Sequence, residues 1–446
     1  MSALSKGSAL FCEMGVGKTK TVIDTAELMF SQKIIRTIIV ICPLSIVDVW
    51  CGEKGELALH SSYSVWSALI GVKKNRIFHL DTYIKNRLNW YVINAEGLAT
   101  IEKEFSQKIF DMAIVDESTT IKNRMAQRSK LVVKLFQKVP YKIIMSGNPT
   151  PKSPDEIFSQ YLFAEPGIFG TNYTKFRDEY FITDYFNKII GYKEKEEFER
   201  KFHSIAFRKT KQECLDLPPK VYQAIHIPMH AEQQKIYDKM FKDAIAYYED
   251  KTCAAPVVIT KMLRLSQIAG GFFPLEEGSK AIALKINPKI ERLLEIIQEV
   301  PIEEQIVVWA RFRKEVELIF ERLSKEGISS VKFYGAVSTK ERIKSRELFK
   351  NKEVRVFIGN PATGGKGIND LVNATTVIYY SNDYSAENRT QSEDRNHRRG
   401  TIKVTYVDLV MKDSIDEEVL TVLRSDRDFS EALLNRSVTF SKIKEK

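Results

Sequence analysis

Short apolar runs rich in β-branched residues recur along the chain and alternate with stretches whose apolar positions return every three or four residues. In the first third, Ser8–Cys12, Thr37–Ile41, Trp90–Ile93, Met112–Val115 and Lys142–Met145 read as strands. After Lys18, residues Val22, Ile23, Ala26, Met29 and Phe30 fall on one helical face, as a crossover helix needs. The same grammar restarts late, with Ile306–Trp309, Val331–Tyr334, Val354–Ile358, Thr376–Tyr380 and Val404–Leu409 as a second strand set. Between the sets, charges and aromatics dominate and strand signals thin out, while Glu194–His203 and Ala231–Tyr248 carry helical spacing. Strands alternating with helices predict an α/β fold with parallel sheets. The expected organisation is a first α/β lobe over 1–165, a mainly helical insertion over 166–284, a second lobe over 285–412, and C-terminal helices with a polar, basic tail over 413–446.

Composition narrows the class. A length of 446 residues suits two or three domains, and 43% hydrophobic with 28% charged residues excludes a disordered chain. The apolar stretch Thr37–Val47 is interrupted by Pro43 and too short for a bilayer, and the run Ser8–Cys12 leads into a Gly-Lys-Thr loop rather than a cleavage site. An intracellular protein with no membrane association is expected. Five scattered cysteines without Cys-x-x-Cys spacing point to free thiols rather than a disulfide framework or a zinc site. The net charge of +10 suits a polyanionic partner, although a basic protein can also have none.

Candidate chemistry begins at Glu13-Met14-Gly15-Val16-Gly17-Lys18-Thr19, set between a strand and a helix. Gly15 and Gly17 let backbone N–H groups turn toward phosphates, and the following helix adds the positive end of its dipole. Lys18 is expected to reach the β and γ phosphates of ATP, and the Thr19 hydroxyl to ligate Mg²⁺. Cys12 stands where the standard loop has glycine, and a plain Gly-rich turn is the competing reading. Downstream, the strand Met112–Val115 ends in Asp116-Glu117. Asp116 is the expected second holder of Mg²⁺, and Glu117 the residue that polarises the attacking water. Together these favour ATP hydrolysis.

An ordered series of segments resembles the Swi/Snf-type branch of the superfamily-two helicases. Ala9–Thr19 looks like motif I. Ile38–Val47 with Trp50 looks like motif Ia, and Val92–Glu96 like motif Ib. Asp116–Asn123 is similar to motif II, and Ser146-Gly147-Asn148-Pro149-Thr150 with Glu156-Ile157-Phe158 to motif III. Phe207-Arg208-Lys209-Thr210-Lys211 and Leu217-Pro218-Pro219-Lys220 resemble the basic stretch and turn that the branch carries between its lobes. Tyr334-Gly335 with Glu341-Arg342 resembles the segment after motif IV, Thr363–Asn369 looks like motif V, and Gln391–Gly400 like motif VI.

The resemblance implies two tandem RecA-like lobes, the first binding ATP, and a motor that couples ATP hydrolysis to movement on duplex DNA. A strand-separating helicase of replication, recombination or restriction is one alternative, and a non-hydrolysing DNA-binding recruitment module another. Gly367 and Gln391 are implied nucleotide contacts. Arg395 and Arg398, three apart, are either arginine fingers for the γ-phosphate or a patch for a nucleic-acid backbone. Ser45, Asn94, Lys122, Asn123, Arg311 and Thr363 are candidates for nucleic-acid contact or, equally, turn and cap residues. Asp413–Leu434 looks like the brace helices of the branch. The branch usually has Ala-His where this chain has Ser118-Thr119, and Thr where it has Asn148. Few residues precede the first strand, where the family carries an adenine-recognising glutamine segment. The lack of added chromatin-type modules is similar to minimal members, so a monomer in the cytoplasm of a bacterial or phage-infected cell is expected.

Overall fold

The computed structural model describes residues 6–150, 153–185, 187–214, 216–217, 220–249, 255–274, 281–364, 370–398 and 403–424. Two compact units divide the chain, Met1–Leu215 and Asp216–Lys446.

Unit 1 is built on β1 (Gly7–Leu10), β2 (Thr37–Ile41), β3 (Ser64–Ala68), β4 (Leu88–Ile93), β5 (Met112–Asp116), β6 (Tyr141–Met145) and, after the hairpin β7 (Phe181–Thr183) and β8 (Ile189–Tyr192), β9 (Ala206–Phe207). The sheet order is β3-β4-β2-β5-β6-β1-β9, and every pairing in it is parallel. The central strands β2, β5 and β6 are mostly apolar because both faces are covered. Ile39 and Ile41 of β2 enter one core, while Ile38 and Val40 enter the other. The helix Lys18–Ser31 buries Val22, Ile23, Ala26 and Met29, the face its periodicity marks; Phe30 packs on the same core partly buried.

Unit 2 has the order β10-β17-β16-β13-β15-β14, again all parallel. Its strands are β10 (Val221–Ile227), β13 (Gln305–Trp309), β14 (Ser330–Phe333), β15 (Val356–Gly359), β16 (Ala374–Tyr379) and β17 (Thr405–Met411). A small hairpin joins β11 (Phe272–Pro274) to β12 (Ala281–Ala283). Ile306 and Val308 face one core, Val307 and Trp309 the other. Each unit is a parallel α/β lobe.

Residues 166–284 are shared between the units. Their first part packs on unit 1 through an aromatic cluster in which Phe169 meets Phe198 at 5.5 Å and Tyr161 stacks on Phe202 at 6.0 Å. The later helix Ala255–Ala269 sends Met262, Leu265 and Ile268 into the core of unit 2. Of the expected C-terminal helices, Ile415–Arg424 is described; residues 425–434 lie outside the described residues. No helix among the described residues is long and apolar enough to cross a membrane.

Candidate functional site

Three neighbouring parallel strands, β1, β6 and β5, end at one level: Leu10 and Asp116 are both in register with Met145. Loops leaving the C-terminal edge of such a sheet are where open α/β folds bind ligands. β1 runs into the Gly15–Thr19 loop, β5 into Asp116-Glu117, and β6, between them, into Ser146–Pro149.

The first loop has the backbone that its glycines permit. Gly15 and Gly17 sit at φ 80° and 89°, and Gly17 caps the helix Lys18–Ser31 in the left-handed region, where a side chain would be strained. Lys18 Nζ is held by the carbonyls of Cys12 at 2.7 Å and Glu13 at 3.1 Å, which keeps its charge at the mouth of the loop. Thr19 is half-buried in the first turn.

The Asp116 carboxylate is buried and meets one N–H donor per oxygen. Trp50 Nε1 donates to Oδ2, and the Glu117 amide donates to Oδ1, both at 2.9 Å. Burial raises its pKa, against the Trp50 donor, the Lys18 charge and the Glu117 amide. Glu117 adopts φ 52° and ψ 61°, a left-handed conformation that costs a non-glycine residue about 1 kcal/mol. A Thr hydroxyl and a carboxylate are hard oxygen donors that fit Mg²⁺ rather than a soft metal, and both Asp116 oxygens keep further lone pairs.

The candidate nucleic-acid residues are dispersed. Ser45 is exposed in the short turn Leu44–Ile46. Asn94 is buried, donates to Glu96 Oε2 at 3.0 Å, and leaves its Oδ1 buried with no hydrogen-bond partner among the described residues. Lys122 pairs with Glu156 at 3.0 Å, and Asn123 closes a turn by accepting from the Met125 amide at 2.9 Å. In unit 2, the Arg311 amide donates to Ser381 Oγ at 2.8 Å while its guanidinium lies over Phe312 and Tyr384. Thr363 is half-buried in the short helix Pro361–Gly364; Gly367 lies outside the described residues.

The helix Ala386–Glu393 carries Gln391, buried and donating to Glu387 Oε1 at 3.2 Å, and ends before Arg395 and Arg398. Both arginines therefore sit in the turn that follows, Arg395 buried and Arg398 half-buried with its Nε on the Asp394 carbonyl. That helix is anchored in part by residues outside the motif series, Arg389, Tyr379 and Asp408. Arg389 lies 3.4 Å over the Tyr379 ring, pairs with both oxygens of Asp408, and donates to Glu393 at 2.7 Å. Lys220 reaches the same Glu393 at 2.8 Å.

Sequence reasoning also missed Lys211. The segment 205–209 adds to the free edge of β1, its carbonyls accepting from the amides of Ala9, Phe11 and Glu13. The Lys211 amide then donates to Glu13 Oε2 at 2.9 Å, and its buried side chain brings Cε to 4.0 Å from where a Gly15 side chain would start. A basic run is visible in the sequence, but its return to the Gly15–Thr19 loop rests on strand pairing some 200 residues apart in sequence.

The glycine-governed loop, the acidic turn and the intervening strand end thus share the C-terminal edge of one parallel sheet. The chain belongs to the SNF2-related family: the SNF2-related domain matches residues 2–269, and the helicase conserved C-terminal domain matches 288–400. An uncharacterized ATP-dependent helicase of Mycoplasma genitalium is 26% identical over 442 residues, which cover 98% of this chain and 41% of that protein. A chromatin structure-remodeling complex subunit of Schizosaccharomyces pombe is 25% identical over 442 residues, covering 92% and 36%. The chain thus spans less than half the length of these relatives. Among solved structures, the Sulfolobus solfataricus SWI2/SNF2 ATPase core in complex with dsDNA is 22% identical, covers 95% of this chain and 87% of its own, and gives a TM-score of 0.44.

Proposed function

We propose that this chain is a nucleic-acid-stimulated ATPase that turns ATP hydrolysis into movement along duplex DNA. The observation that supports this most is the shared level of the β1, β6 and β5 ends, which sets the Lys18 loop and the Asp116-Glu117 turn on either side of the Ser146–Pro149 segment. In this reading the backbone of Gly15 and Gly17 cradles the phosphates and Lys18 neutralises their charge. Thr19 and Asp116 hold Mg²⁺, which when bound offsets phosphate charge, and Glu117 orients the attacking water. Gln391 and Gly367 contact the nucleotide, and Arg395 and Arg398 stabilise negative charge as it develops. Ser45, Asn94, Lys122, Asn123, Arg311 and Thr363 hold nucleic-acid backbone without reading sequence. The helicase name of the Mycoplasma relative and the family membership agree with ATP use.

The test is the ATPase rate alone and with duplex DNA, single-stranded DNA and RNA. Duplex DNA is expected to stimulate most, and Lys18→Ala to cut the stimulated rate by about 10²-fold or more, the scale for removing a main phosphate-charge partner. Equal rates with and without nucleic acid would sink the motor reading.

A further inference from the structure

Ser118 and Gln160 are both 0% exposed, 42 residues apart in sequence, and hydrogen-bonded at 2.6 Å from the serine hydroxyl to Gln160 Oε1. Gln160 spends its two amide protons on the Pro149 carbonyl at 2.7 Å and the Glu156 carbonyl at 3.1 Å. Every strong donor and acceptor of the side-chain amide is thereby engaged, so its orientation is fixed. A fully buried polar pair is a poorer source of stability than apolar packing of the same shape, so its presence calls for a use.

The neighbours suggest that use. Ser118 directly follows Glu117, whose left-handed backbone is strained. Pro149 belongs to the β6 exit, where a side chain on Gly147 would lie 3.7 Å from Met14 of the phosphate loop. Glu156 holds Lys122 in an ion pair in which the two side chains are only 15% and 22% exposed. One connected path therefore runs from the acidic turn through Ser118 and Gln160, branching to the β6 exit and to Lys122. If Glu117 changes its backbone, Ser118 must either carry Gln160 with it or break the 2.6 Å bond.

We propose that Ser118 and Gln160 are positioning residues that transmit the state of the nucleotide site to the Ser146–Pro149 segment and to Lys122, and so set how strongly nucleic acid stimulates hydrolysis. The inference rests on the motor reading above. It gives this chain a neutral hydroxyl–amide link at the place where the resembling branch usually carries Ala-His.

The experiment compares wild type, Ser118→Ala and the double variant Ser118→Ala/Gln160→Leu in the full chain, measuring kcat and KM for ATP with and without duplex DNA, alongside thermal melting. The double variant replaces both polar partners, leaving no orphan between them, so it guards against simple misfolding. The ratio of stimulated to unstimulated kcat is expected to fall about fivefold or more in the double variant, with KM for ATP within about twofold. Lys122→Gln should then lower duplex affinity by different factors in the wild-type and double-variant backgrounds. A preserved stimulation ratio in a folded double variant overturns the inference, as does an equal fall of both rates, which marks a structural role alone. An unstimulated wild type is distinguishable from either and overturns the motor reading itself.

Discussion

Glu315 is a carboxyl group with 0% exposure in the second lobe, and replacing it with glutamine should change how that lobe responds to pH. Its Oε2 accepts from the Phe312 amide at 3.0 Å and from Ser381 Oγ, the same hydroxyl that accepts from the Arg311 amide. Oε1 is buried with no hydrogen-bond partner among the described residues, and a side chain on Gly270 would begin 2.1 Å from it. Burial pushes the pKa up to about 7 from an ordinary 4.5; the Ser381 and Phe312 donors and Lys289 pull against that, and Asp416, itself paired with Lys289, adds to it. The folded lobe therefore keeps a proton between those values that the unfolded chain gives up. Stability from this group is complete below pH 4.5 and is lost as pH rises through about 7. At ~1.36 kcal/mol per pKa unit the loss is ~3 kcal/mol. Glu315→Gln keeps the shape and an acceptor for both donors but cannot ionise. Native-state hydrogen exchange of the Gln305–Trp309 amides reads unit 2 without requiring the whole chain to unfold in one step. From pH 5 to pH 8 the wild type should lose ~2.5 kcal/mol more protection than the variant, because part of the loss already falls between pH 4.5 and 5. Parallel pH curves for the two proteins would refute the reasoning.

Two further outcomes follow from buried charge. Arg389→Met leaves Asp408, 1% exposed, without its cation, so thermal or chemical denaturation should show a loss of about 3–5 kcal/mol, unlike removal of an exposed pair such as Lys20–Asp24, worth well under about 1 kcal/mol. Lys211→Met should raise KM for ATP by about tenfold, the scale of one charge-assisted hydrogen bond, with circular dichroism unchanged; an unchanged KM removes Lys211 from the phosphate environment.

What the sequence made legible was set by burial. β2, β4, β5 and β13 are covered on both faces and mostly apolar, so their runs stand out without knowledge of their partners. β3 is half-buried at every position along a sheet edge, and Ser-Val-Trp-Ser-Ala offers no apolar run. β10, another edge, alternates Val-Tyr-Gln-Ala-Ile-His-Ile and lies in a stretch whose helices dominate the pattern. Val354–Ile358 reads as a strand, yet β15 starts at Val356, where pairing with Ile306 and Ser330 begins, and Arg355 turns its guanidinium onto the carbonyls of Ile297 and Val300. At the site, the loop and the acidic pair are local patterns and could be read directly. The Trp50–Asp116 bond, the Ser118–Gln160 bond and the approach of Lys211 depend on side chains brought together by the sheet. Spacing alone carries no trace of them.

The pairing of β1 also sets a schedule for synthesis. The strand that leads into the phosphate loop is the first described, yet its partners arrive late: Gly7 pairs with Lys142, and Ala9 with Ala206. At about 5–20 residues per second, translation needs roughly 10–40 s to deliver the second partner. Until then one edge of β1 stays unpaired and the phosphate loop lacks the wall that residues 205–211 supply, so a nascent chain should be unable to grip nucleotide before its first lobe has fully emerged.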